Sequence, residues 1–186
     1  CQAAAAAGWR QVKLYFMCGL PTETPDDLAA IARLVRALPR QLEYHLTVSP
    51  FVPKAHTPFQ WCGFADPAPL ADGLRALRAA LPRRVRLSKP DLNRSLLEAV
   101  LARGAGDAAQ LALAAWRQGA RLDSWDEHFV FSRWQAAATA CGLDLTALAC
   151  RPLDPQAPPP WAVLDYGADP ALLRRDYDRA LAEVAS

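Results

Sequence analysis

The first third of the chain alternates between the two spacings that separate strands from helices. Val12 to Cys18 is a short apolar run bounded by Gly8 and Gly19, and it reads as a buried strand over 12–18. Leu28, Ile31, Leu34, Val35 and Leu38 then recur at helical spacing. The start of that helix is marked by Thr24 as N-cap, Pro25 at the first helical position, and Asp26 and Asp27 in the first turn. Asp27 stands at N3, where an acidic side chain completes a capping arrangement. Pro39 ends the helix, which is predicted over 25–38. Glu43 to Val52 alternates in part, with Leu46, Val48 and Phe51, and reads as a second strand over 43–52. Strand, helix, strand is a βαβ unit, so the two strands are predicted to be parallel neighbours joined by a right-handed crossover. Functional groups of such units gather at the carboxyl ends of the strands, here Gly19 to Thr24 and Ser49 to Phe59.

Beyond Trp61 the pattern turns helical. Leu70, Leu74, Leu77 and Leu81 define a face over 68–81, followed by a short extended piece around Val85 to Leu87. Ser95-Leu96-Leu97-Glu98 and Ser124-Trp125-Asp126-Glu127 both match the S-x-x-E capping box, which predicts helices running to about Arg103 and about Cys141. Another helix is expected from Asp107 to Gln118, ended by Gly119. The stretch 152–161 holds five prolines and reads as a surface connection. Asp169-Pro170 opens a last helix carrying Leu172, Leu173, Tyr177, Leu181 and Val184. The chain therefore divides at about residue 88: α/β over 1–88, mostly α-helical over 89–186.

Composition narrows the function classes. The 186 residues are 52% apolar and 22% charged, with a net charge of +2, which is globular and near balance. Neither a nucleic-acid partner nor a membrane partner is indicated. Five cysteines (Cys1, Cys18, Cys62, Cys141 and Cys150), an odd number without paired spacing, point away from a disulfide framework and towards a reducing compartment, by default the cytoplasm. Cys1 to Ala7 reads as the tail of a helix closed by Gly8, and no initiator Met precedes it, so further protein is expected upstream.

Two loops carry candidate chemistry. In Gly19-Leu20-Pro21-Thr22-Glu23-Thr24 the glycine lets backbone approach a ligand, the helix start offers N–H groups, and Glu23 can accept hydrogen bonds from an amine or hydroxyl. An equally good reading is a tight turn in which Thr24 caps the helix and Glu23 is solvated. In Ser49 to Trp61, three prolines hold an extended path, Lys54 and His56 add donors, and Phe59 and Trp61 can cover a planar ligand or a barrel rim; the alternative is a rigid loop with Lys54 in water. Asp126, Glu127 and His128 are adjacent and do not share a helical face, and Cys141 and Cys150 have no His partner nearby, which argues against metal there. No P-loop, nucleophile elbow or dinucleotide fingerprint occurs.

Lys13-Leu14-Tyr15-Phe16-Met17-Cys18-Gly19-Leu20-Pro21-Thr22-Glu23-Thr24 resembles the fifth-strand segment of radical S-adenosylmethionine (SAM) enzymes, especially the subgroup associated with a B12-binding domain. Ser49 to Trp61 is similar to the sixth-strand segment of that subgroup. Leu97 to Gly104 and Gly119 to Trp125 resemble its helical tail. The resemblance implies the C-terminal part of a partial (β/α) barrel followed by a helical region. It implies SAM and a [4Fe-4S] cluster as cofactors, with cobalamin as a further candidate and a flavodoxin or ferredoxin as reductant. Its reaction is reductive SAM cleavage to a 5′-deoxyadenosyl radical, acting on an unknown substrate. Carried over by position, Gly19, Leu20, Pro21 and Glu23 lie on the SAM adenosyl side, with Ser49, Lys54 and Thr57 as weaker candidates. The C-x-x-x-C-x-x-C cluster motif does not occur, so the ligands are expected upstream and this stretch alone is expected to be inactive. Two other readings are a helical module that binds protein through Trp116, Trp125 and Trp134, and a different nucleoside- or phosphate-binding α/β enzyme.

Overall fold

A computed structural model describes residues 1–88 and 91–183, in two compact units. The first unit comprises Cys1–Phe51 and Ala65–Leu92, and the second comprises Val52–Phe64 and the chain from Asn93 onward. The segment Val52–Phe64 therefore packs with the helical region. Lys89 and Pro90, beside the division expected at 88, lie outside the described residues.

The first unit is mixed α/β. After a short helix α1 (Gln2–Ala6) come strand β1 (Gln11–Cys18), helix α2 (Pro25–Ala37), strand β2 (Glu43–Pro50), helix α3 (Pro67–Ala80) and strand β3 (Arg86–Ser88). The described strands form an open parallel sheet in the order β1-β2-β3. The register runs from Gln11 opposite Glu43 to Cys18 opposite Pro50, and from His45 opposite Arg86 to Thr47 opposite Ser88. The βαβ unit is thus observed, with parallel strands. The extended piece near Val85 proves to be a third strand, only three residues long.

Burial explains which face each residue takes. Tyr44, Leu46, Val48 and Pro50 point to the covered face of β2, and Val12, Leu14, Phe16 and Cys18 stand opposite them in register. Each fully buried Leu or Val contributes on the order of 2 kcal/mol relative to an exposed one. The covering helices α2 and α3 bury Ile31, Ala32, Val35, Leu70, Leu74 and Leu77. On the other face, Gln11, Lys13, Tyr15 and Met17 are exposed, Tyr15 by 72% and Met17 by 50%. The expectation that 12–18 is a buried strand is therefore corrected. Among the described residues β1 is an edge strand covered on one face only, so its alternate residues stay open. Leu34 is likewise exposed, and Ala32 takes its place in the packed stripe. A β-carbon on Gly73 of α3 would come within 2.7 Å of Leu28 in α2, so this helix pair approaches closely and favours small residues at its seam.

Local signals set the helix starts. The Asp27 carboxylate accepts the Thr24 N–H at 2.7 Å and the Thr24 hydroxyl at 2.8 Å, closing the expected cap of α2. Asp66 caps α3 by accepting the Ala68 N–H at 3.0 Å. The buried Tyr44 hydroxyl donates to the Pro39 carbonyl at 3.0 Å, so the β2 core carries no unpaired phenol.

The second unit is helical: α4 (Leu92–Arg103, entering from the first unit at its first residue), α5 (Gly106–Arg117), α6 (Phe131–Ala140), α7 (Leu145–Cys150) and α8 (Pro170–Ala182), with a 3-10 turn at Pro58–Trp61. Helix α4 buries Ser95, Leu96, Leu97, Ala99, Val100 and Arg103, most of its circumference. Two capping-box expectations fail. Helix α4 begins at Leu92, which leaves Ser95 inside it and buried, and residues 123–128 form turns with α6 starting only at Phe131. Leu122 is left-handed at φ 55°, the Trp125 carbonyl accepts the His128 and Phe129 N–H groups at 3.1 and 3.2 Å in a turn that goes no further, and the Arg94 guanidinium donates to the Ser124 and Trp125 carbonyls at 3.5 and 3.1 Å. The proline-rich connection is mostly exposed, but Trp161 at its end is buried. Helix α8 starts where Asp169-Pro170 predicts, Asp169 accepting the Ala171 N–H at 2.9 Å; Val184, assigned to its face, lies outside the described residues. Among the described residues no helix is long and apolar enough to cross a membrane.

Candidate functional site

The carboxyl end of β1 turns sharply because Gly19 adopts φ +73°, a region open to glycine and costly for other residues. A β-carbon there would also stand 3.0 Å from that of Ala65. Beyond it, the Glu23 carboxylate folds back and accepts the Gly19 N–H at 3.0 Å, while the Glu23 N–H donates to the Leu20 carbonyl at 3.0 Å. Gly19, Leu20 and Glu23 are thus brought together in one braced, half-buried turn, with Pro21 exposed on its outside. A groove of about 360 Å³ runs beside it, with Phe16, Met17, Leu20 and Ile31 on its apolar side and Thr22, Glu23 and Asp27 on its polar side. One Glu23 oxygen is therefore committed to the turn itself, and the glycine has a packing reason as well as any ligand reason.

Cys18 stands at the same strand end with no exposed surface. Its thiol donates to the Ser49 carbonyl at 3.8 Å. Burial, and secondarily the Glu23 carboxylate, push the thiol from 9.0 up to about 12. At mild alkaline pH its thiolate fraction is then ~1,000-fold below that of an ordinary cysteine, by the difference of three pH units. Treatment with iodoacetamide at mild alkaline pH should modify the exposed Cys1 and spare Cys18, as read by peptide mass spectrometry. Comparable alkylation of both would refute this protected state.

Ser49 lies on the open face of β2 opposite Met17. Lys54 and Thr57 belong to the second unit. Lys54 forms an exposed ion pair with Glu98 of α4, and the Thr57 hydroxyl donates to the Lys54 carbonyl at 2.7 Å. Such an exposed pair stabilises by about 1 kcal/mol or less. The ring of His56 packs against Tyr166 with centroids 4.7 Å apart, so Lys54 and His56 engage different partners.

Among the described residues no three His, Cys, Asp or Glu side chains gather to hold a metal ion. The described cysteines do not gather into a three-thiolate cluster site. The three tryptophans considered for protein binding differ in exposure. Trp116 and Trp125 are exposed, whereas Trp134 is buried and donates its indole N–H to Asp123 at 2.7 Å. Three residues that organise the loop 52–64 carried no local signal of that role: Gln60, Trp161 and Tyr166. Gln60 pairs with Trp161 across 101 positions, which no spacing in the sequence reveals.

No family model matches the chain, and no solved structure matches it. The chain is similar to Uncharacterized protein MJ0966 of Methanocaldococcus jannaschii, 30% identical over 99 residues. That match takes in 52% of this chain and 22% of the archaeal protein, so it spans less than a quarter of its relative.

Proposed function

We propose that this chain supplies the last parallel strands and the C-terminal region of a radical SAM enzyme, with the Gly19–Glu23 turn beside the SAM adenosyl group. The observation that carries the reading is the one-sided sheet. Helices α2 and α3 cover one face, as the outer layer of a (β/α) barrel does, and the opposite face presents Lys13, Tyr15 and Met17 towards what would be the barrel interior. The braced turn stands at the carboxyl end of β1, where barrels of this class build their sites. When bound, SAM and a cluster held outside the described residues would supply the radical chemistry. This chain's own residues would place backbone amides and the second Glu23 oxygen against the nucleoside. A reducing, cytoplasmic setting and a flavodoxin or ferredoxin reductant belong to the same reading.

The test separates the two jobs of Glu23. Glu23→Gln keeps an acceptor for the Gly19 N–H but removes the charge, whereas Glu23→Ala removes both. In the full-length protein, SAM affinity by calorimetry is expected to fall about tenfold in Glu23→Gln, equivalent to ~1.4 kcal/mol, with the melting temperature unchanged. Glu23→Ala is expected to lose both affinity and some stability. Unaltered SAM affinity in both variants takes Glu23 out of the site.

A further inference from the structure

The second unit contains a cleft of about 260 Å³ that no sequence motif announces. Four of its walls are rings: His56, Trp61, Trp161 and Tyr166. Two polar atoms on those walls are buried without a hydrogen-bond partner, His56 Nε2 and the Trp61 indole N–H. Buried donors are paired in nearly all proteins, and an unpaired one carries its full desolvation cost. His56 is also left-handed at φ 58°, a conformation that a residue with a β-carbon seldom holds. The arrangement is fixed from behind. The buried Gln60 carboxamide oxygen accepts both the His56 backbone N–H at 3.1 Å and the Trp161 indole N–H at 2.8 Å. Both partners are donors only, so the oxygen must face them. Strained backbone, orphaned polar atoms and preset aromatic walls coincide at one cleft, as they do where a ligand completes the structure.

We propose that this cleft binds a small planar ring carrying a hydrogen-bond acceptor, such as a carboxamide oxygen or a ring nitrogen. The ring stacks within the aromatic walls, and its acceptor takes the Trp61 N–H, with His56 as the second polar contact. Two other ligand classes suit the walls less well. A quaternary ammonium would satisfy the rings but leave the Trp61 N–H unpaired. An alkyl ligand would leave both orphaned atoms unpaired. The site lies wholly in the second unit and does not depend on the SAM reading.

Nicotinamide is the probe, a single ring with one carboxamide, used at millimolar concentration against the full-length protein with saturation-transfer NMR. Trp61→Phe keeps a ring and removes the N–H, and is expected to weaken binding about tenfold. Tyr166→Ala should abolish most of the saturation; Tyr166 is 73% exposed, so the variant is expected to melt with the parent, which thermal denaturation checks. His56→Gly releases the left-handed backbone, so it should melt no lower than the parent while binding less. Glu23→Gln should bind nicotinamide as the parent does, which keeps this outcome separate from the SAM test. The proposal is overturned by an absence of nicotinamide saturation in the parent, by equal saturation in Tyr166→Ala and parent, or by preferential binding of tetramethylammonium.

Discussion

Replacing Gly63 by alanine is expected to destabilise the second unit by about 3–5 kcal/mol, far more than a single methyl group suggests. Gly63 sits in Trp61–Phe64, which lies against Ala149–Leu153 at the end of α7. The Phe64 N–H donates to the Ala149 carbonyl at 2.9 Å, and the Leu153 N–H donates to the Trp61 carbonyl at 2.8 Å. Between these two bonds, a β-carbon on Gly63 would stand 1.8 Å from the Cys150 carbonyl oxygen and 2.6 Å from its carbon. Those are backbone atoms, so no rotamer change relieves the clash. The two strips must move apart, stretching both flanking hydrogen bonds and disturbing the packing behind them. Urea denaturation followed by tryptophan fluorescence measures this well, because five of the six tryptophans lie in the second unit. Gly106→Ala is the control. A β-carbon there meets nothing within 4 Å, and the residue opens helix α5, so that variant should be neutral or more stable by about 0.4–1 kcal/mol. A loss of less than about 1 kcal/mol in Gly63→Ala would mean that the strips slide past each other without losing their bonds.

The contrast between these two glycines also marks what the sequence could and could not disclose. Local rules found what local physics decides. Thr24, Pro25 and Asp27 located the start of α2, Asp169-Pro170 located α8, and the apolar runs around Leu14 and Leu46 located a parallel pair. Rules that ignore the surroundings failed where a distant group intervened. Ser124-Trp125-Asp126-Glu127 has capping-box spacing, yet the segment only turns, and Arg94, thirty positions before Ser124, is the distant group that donates to its carbonyls. Leu34 fits the apolar pattern better than Ala32, yet Ala32 is buried and Leu34 is exposed, because the packed face is set by what lies across it and not by hydrophobicity alone. Strand β3 is too short to show a period at all, and its pairing with β2 supplies what its sequence lacks.

The candidate sites divide along the same line. The turn at Gly19 was legible because a glycine between a strand and a capped helix is a local arrangement, and Glu23 is near enough in sequence to reach back to it. That Glu23 braces the turn was not legible, since the same spacing permits a solvated side chain. The aromatic cleft was half visible. Trp61 stood out beside three prolines, but the opposing walls come from 161 and 166, after a proline-rich stretch that gives no period to follow. The Gln60 side chain joins the two halves, and a glutamine between aromatic residues looks unremarkable until its partner is known.

Arg103→Met is expected to cost about 3 kcal/mol, and it tests the same seam from the other side. Arg103 is 4% exposed in the last turn of α4. Its guanidinium donates to the Leu148 carbonyl at 3.1 Å, to the Ala149 carbonyl, and to the Arg151 carbonyl at 2.6 Å. Two of these belong to the final turn of α7, where helix carbonyls lack partners within the helix and carry partial negative charge; the Ala149 carbonyl shares Arg103 with the Phe64 N–H. A cation there is favourable, although burial pulls its pKa below the usual range. Methionine fills much of the same volume but donates nothing, so three carbonyls lose their charged partner. Part of that loss is offset because a buried cation no longer has to be desolvated. Lysine keeps the charge but offers one compact ammonium where a planar fork reaches three oxygens, so Arg103→Lys should fall between methionine and the parent. Wild-type stability in Arg103→Met would mean that the desolvation cost cancels the bonds entirely. Combined with Gly63→Ala, the loss should be smaller than the sum of the two, because once the Cys150 strip has shifted, the carbonyls flanking it are already out of reach of Arg103.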